Sequence, residues 1–131
     1  MLTFGRARLT VSRNVRVITL VLLLAAPLWA QETRRTYAIV ELAAFARAGS
    51  VHTHVQVTGW VAATHMERDG DRHIKLVPSP GARTPFLIAE CIPQLPCAAP
   101  AVGRRLTVQG ISRYDREHGW WEVHPVEAIL P

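Results

Sequence analysis

From Val51 onward the chain alternates with period two, and no other feature restricts its fold so strongly. Val51, Thr53, Val55, Val57, Gly59 and Val61 take one set of positions; His52, His54, Gln56, Thr58 and Trp60 take the other. Successive side chains of a strand point to opposite faces, so the pattern is that of a long strand buried on one side. The valines claim the core and the histidines look outward. Gly59 inside the run predicts a bulge or bend, of the kind that turns a barrel corner.

Four more strands follow. Arg68-Asp69-Gly70-Asp71 supplies a turn, and Arg72 to Val77 is the second strand. Pro78-Ser79-Pro80-Gly81 ends it, and Phe86 to Cys91 is the third. Arg104 to Tyr114 and Trp120 to Val126 are the fourth and fifth, joined by the turn Asp115-Arg116-Glu117-His118-Gly119. Between the third and fourth, Ile92 to Gly103 carries Pro93, Pro96 and Pro100 and reads as a connector. One helix is expected, before the strands: YAIVELAAFARA is alanine-rich, with Ile39, Leu42, Ala43 and Ala46 near helical spacing and Gly49 as its stop. The class is therefore all-β with one N-terminal helix within residues 31–50. Residues 51–131 form a small five-stranded OB-like β-barrel, with a loop where an OB-fold places its middle helix. A small β-sandwich or an SH3-like barrel uses the same strands.

The N-terminus has a different character. Arg6, Arg8, Arg13 and Arg16 precede the apolar run Val17 to Ala26, and Pro27-Leu28-Trp29-Ala30 leads into a polar stretch. That order is the order of a secretory signal peptide, residues 1–30, cleaved after Ala30. The run spans about ten residues against the roughly 20 that cross a bilayer core, which disfavours a membrane anchor that takes in Pro27 to Ala30. The expected location is periplasmic or secreted, with no membrane span after cleavage. The chain has 131 residues and a net charge of +5, but the signal holds four of its fifteen basic residues and no acid. Eleven basic and ten acidic residues remain on the 101 residues beyond it. A nucleic-acid footprint needs basic charge clustered on the folded domain, so the mature charge does not support one. Cys91 and Cys97 are a lone close pair on the exported part, and a disulfide between them staples the proline-rich loop.

Three segments resemble a family of small exported bacterial proteins to which no activity is assigned. They are Asp69-Gly70-Asp71-Arg72-His73-Ile74-Lys75-Leu76, Ile88-Ala89-Glu90-Cys91-Ile92-Pro93 and Gly119-Trp120-Trp121-Glu122-Val123-His124-Pro125-Val126. In that family D-G-D-x-H-x-x-L is followed by A-E-x-P and W-E-[IV]-H-P-V; the resemblance implies an OB-like fold and no activity. Asp69-Gly70-Asp71 alone is similar to a piece of the thermonuclease family, secreted OB-fold nucleases. The rest of that family's pattern, its catalytic arginine and glutamate included, has no counterpart here.

Three constellations bear on function. Asp71, His73 and Glu90 are the catalytic candidates: paired second and third strands bring Glu90 to His73, either as general base and orienter or as a structural polar pair. No nucleophile stands at a recognisable spacing. The metal candidates are His52, His54, His73 and His124, the last flanked by Glu122 on its own face. No H-x3-H or H-E-x-x-H spacing supports them, and no cofactor is implied. The ligand-binding candidates are Trp120, Trp121, Arg105, Arg113, His52 and His54. Trp120 and Trp121 point to opposite faces, so one joins the core and the other is free to stack a base or a sugar. The expected working surface is the face of His52, His54, Gln56 and Thr58 with one of those tryptophans. Two functions fit. One is an exported binding or interaction module for an oligonucleotide, an oligosaccharide or an envelope protein. The other is a metal- or histidine-dependent hydrolase with a nuclease-like version. The absence of a catalytic signature favours the module.

Overall fold

The computed structural model describes residues Arg35–Pro131, and the signal-like segment 1–30 lies outside the described residues. The element order is β1 (Ala38–Val40), α1 (Leu42–Ala48), β2 (His54–Met66), β3 (Arg72–Val77), β4 (Leu87–Cys91), β5 (Arg105–Asp115) and β6 (Trp120–Leu130). The strands run β1-β2-β3-β4-β6-β5, and β5 pairs back onto β2. Strands β2 to β6 are thus a closed five-stranded barrel of OB-like order, and β1 is a sixth strand outside the ring. Closure works because β2 is long enough to serve two partners. Its first half pairs β5 from His54↔Ile111 to Trp60↔Arg105, and its second half pairs β3 from Trp60↔Val77 to Met66↔Arg72.

The core follows the alternation. Val55, Val57 and Val61 of β2 are buried with Ile74 and Leu76 of β3, Leu87 and Ala89 of β4, Leu106 and Val108 of β5, and Val123 and Val126 of β6. Val51 lies outside the strand and is 96% exposed, because β2 begins only at His54. Gly59 keeps regular register with Leu106, and the bulge falls later, between Val61 and Ala63. The need for glycine at 59 is steric: a Cβ there would stand 2.4 Å from Leu42 Cδ1.

That contact belongs to the helix. The expected helix over 37–48 is shorter, because Ala38–Val40 pairs in parallel with Val55–Val57 of β2. The β3 side of β2 is unpaired there, and an open strand edge beside two β-branched residues outweighs the helix propensity of the neighbouring alanines. Ile39 is accordingly 83% exposed. Glu41 caps the helix, its carboxylate accepting from the backbone N–H of Ala43 and Ala44, and those bonds hold its pKa below the ordinary value. The one-sided burial of Leu42 and Phe45 plugs the barrel. An OB-fold places its helix between the third and fourth strands; here that slot, β4 to β5, is the proline-rich loop closed by the Cys91–Cys97 disulfide, with Cα atoms 5.9 Å apart.

Phe45 is 1% exposed and lies 6.2 Å from Trp121, centroid to centroid. Phe45→Ala leaves a cavity at the plug and should lower stability by about 3–5 kcal/mol in chemical denaturation. Ile39→Ala, on an exposed side chain, should change it by less than about 0.5 kcal/mol. Equal effects would mean that the helix does not seal the core.

Candidate functional site

The polar centre of the molecule lies on the outer side of β3, β4 and β6. His73 sits opposite Glu90 in the β3–β4 register, and β4 runs parallel to β6 through Ile88↔Glu122 and Ala89↔Val123. Two residues further along both strands, on the same face, come Glu90 and His124. Alternation thus lines up His73, Glu90 and His124 across three strands, with Glu122 beside them. The loop between β2 and β3 adds Asp71 and Glu67. Asp69-Gly70-Asp71 is the turn itself, held by the Asp71 N–H donating to Asp69 Oδ1.

Distances are short. His73 Nε2 stands 3.1 Å from Glu90 Oε2, and His124 Nδ1 stands 3.0 Å from Glu90 Oε1 and 3.4 Å from Glu122 Oε1. Glu67 Oε1 lies 3.5 Å from His73 Nδ1. Glu90 is 7% exposed and Glu122 1%. Burial pushes Glu90 up to about 8, helped by its hydrogen bond with Asp71 and the charge of Glu122. Burial also raises Glu122, against the pull of Arg113, whose Nε is 3.4 Å from Glu122 Oε1. His124 is lowered, first by burial and then by Arg113. Glu90 is thus neutral near pH 7 and able to donate a proton, and His124 keeps a free nitrogen lone pair. Glu122 Oε1 and His124 Nδ1 are buried without hydrogen-bond partners. Glu90, Glu122 and His124 each offer a donor atom within 4.8 Å of the others.

An aromatic ledge borders this centre. Trp120 donates its Nε1–H to Glu122 Oε2 at 3.4 Å, stacks on His118 at 4.5 Å and 9°, and meets Phe86 edge-on at 5.7 Å. The Lys75 ammonium lies 4.3 Å from the Phe86 ring centre. Trp121 points the other way, against Phe45 and Tyr114, and Gly49 passes so close to it that a Cβ would stand 2.3 Å from the indole.

The structure therefore gathers Asp71, His73, Glu90, His124, Trp120 and Arg113 and leaves the other candidates elsewhere. Trp121 is on the core side. Arg105 lies at the start of β5, paired with Trp60, while Arg113 lies near that strand's other end. His52 is exposed before β2, and His54 packs edge-on against Tyr37 at 6.0 Å. The outer face of β2 is tied to β5 by Gln109 Nε2 donating to Gln56 and by a Thr58–Thr107 hydroxyl pair. Trp120 therefore shares its surface with β3 and β4 instead. The centre draws Asp71 and His73 from the first of the three family-like segments, Glu90 from the second, and Glu122 and His124 from the third. Glu122 was visible in the sequence only as the neighbour of His124, and its burial was not. No protein-family model matches the chain, and no curated protein matches it.

The turn between β5 and β6 yields a pH prediction. His118 Nδ1 lies 2.6 Å from Asp115 Oδ2. The pair raises His118 above 6.5 and lowers Asp115 below 3.8. The stabilisation carried by His118 is present below 6.5 and lost as pH rises through its raised value; that carried by Asp115 is present above 3.8 and lost as pH falls through its depressed one. Titration by NMR should find His118 ionising above 6.5, and Asp115→Asn should bring it down. A wild-type value at or below 6.5 contradicts the pairing.

Proposed function

We propose that this domain is an exported binding module whose ligand lies across the outer face of β3, β4 and β6, and that the ligand is an oligosaccharide. The observation that carries the proposal is the aromatic ledge of His118, Trp120 and Phe86 set directly against buried carboxylates. OB-folds bind oligonucleotides and oligosaccharides on the face of their second and third strands, between the first–second and fourth–fifth loops. In this barrel those strands are β3 and β4, and those loops supply Asp71 and His118. The choice between the two ligand classes rests on charge. Glu67 and Asp71 at the edge of the site repel a phosphate backbone, whereas carboxyl groups hydrogen-bond sugar hydroxyls and an aromatic ring stacks on a sugar face. The near-neutral charge beyond the signal-like segment points the same way. Export is supported by that segment and by the Cys91–Cys97 disulfide, which suits an oxidising compartment. Among the described residues no helix is long and apolar enough to cross a membrane.

The test is calorimetric titration with tetramers of β-linked glucose and of N-acetylglucosamine, beside a ten-nucleotide thymidine oligomer. A sugar tetramer should bind and the oligonucleotide should not. Trp120 is only half-buried, so Trp120→Ala should stay folded and weaken sugar binding about tenfold, the effect of losing one stacking aromatic. Tighter binding of the oligonucleotide, or an unchanged sugar affinity in Trp120→Ala, overturns the proposal.

A further inference from the structure

We infer that Glu90, Glu122 and His124 form a binding site for one divalent transition-metal ion, with zinc as the best fit. The three donor atoms lie within 4.8 Å of one another, and the two closest pairs are 3.0 and 3.4 Å apart. Zinc bonds of about 2.0–2.2 Å place tetrahedral donors roughly 3.3–3.6 Å from each other, so the cluster needs only small adjustment to close on an ion. The independent observation is that Glu122, 99% buried, turns Oε1 into the cluster, where His124 Nδ1 also points, and that neither atom makes a hydrogen bond although charged groups stand 3.0–3.4 Å away. Buried polar atoms are nearly always satisfied. A cation between them satisfies both at once and answers the repulsion between two buried carboxylates.

The donor set decides the class of ion. One imidazole nitrogen with two carboxylate oxygens suits zinc and its neighbours; calcium and magnesium prefer oxygen alone and in greater number. Three protein ligands leave a fourth position for water or a ligand group. Around the three, His73 Nε2 at 3.1 Å from Glu90 Oε2 and Arg113 Nε at 3.4 Å from Glu122 Oε1 are positioning residues that orient the carboxylates. The histidines differ sharply in setting. His52, His65 and His118 are exposed and His54 packs on Tyr37, whereas the ring of His124 has its Nδ1 sealed against two carboxylates.

The full chain, stripped with a chelator and dialysed, is titrated with Zn2+ alone by calorimetry and with Co2+ by visible absorption. One equivalent of Zn2+ should bind, the melting temperature should rise with it, and X-ray absorption of the zinc-loaded protein should show a single imidazole with oxygen ligands. His124→Gln and Glu122→Gln should each weaken binding at least about tenfold. The double replacement of His52 and His54 by alanine should leave it unchanged. Phe86→Ala, on the ledge but with no polar atom to bond any of the three ligands, should also leave it unchanged while weakening sugar binding, so that failure of the sugar reading and failure of the metal site are separate outcomes. Absence of binding, full affinity in folded His124→Gln, or two or more imidazoles in the X-ray absorption spectrum overturns the inference. The spectrum decides the matter on wild-type protein even if the variants fail to fold.

Discussion

The parallel seam between β4 and β6 is the constraint on which the rest depends. The other ladders of the barrel are antiparallel, and two of them run for seven or more residue pairs. The seam has only Ile88↔Glu122 and Ala89↔Val123, yet without it the sheet does not close. Its inner side is apolar, with Ala89 and Val123 fully buried. Its outer side brings Glu122 against β4 and, two residues on, sets Glu90 beside His124. The contact that seals the core is therefore also the one that crowds two carboxylates and an imidazole together.

Such crowding opposes folding. Burying a carboxylate costs free energy unless it is neutralised, paired or bound to a cation, and here Glu90 responds by holding its proton to about pH 8. The barrel tolerates this because its apolar side is otherwise complete: Leu42 and Phe45 plug one end, and the disulfide anchors the loop that stands in for the usual middle helix. A fold that needed only a closed core has no use for Glu122 at 1% exposure with an oxygen that no hydrogen bond satisfies. Buried, convergent titratable groups with shifted pKa values cluster at functional sites.

Much of the barrel was readable from local rules. Period two locates β2, turn residues locate the hairpins, and the prolines of 92–103 exclude a helix there. The misreadings have a common cause. Ala38–Val40 looked helical because alanine-rich composition carries no information about the open edge of β2 that recruits it. Gly59 looked like a bulge because nothing local reports that Leu42 docks there. The site was half visible for the same reason. His73 and Glu90 lie on adjacent strands whose short connector sets their register, so pairing follows from spacing. The meeting of Glu90 with Glu122 and His124 depends on a parallel seam between residues more than thirty positions apart, and the alternating His52 and His54 offer a tidier pattern, although His52 lies before β2 and His54 packs on Tyr37.

The central claim is that the seam buries Glu90 between His73 and His124. The most direct measurement is a carbon-detected NMR titration of the Glu90 side-chain carboxyl in metal-free protein. The account predicts an ionisation near 8, far above the ordinary 4.5. A value near 4.5 would place Glu90 in solvent and contradict the site.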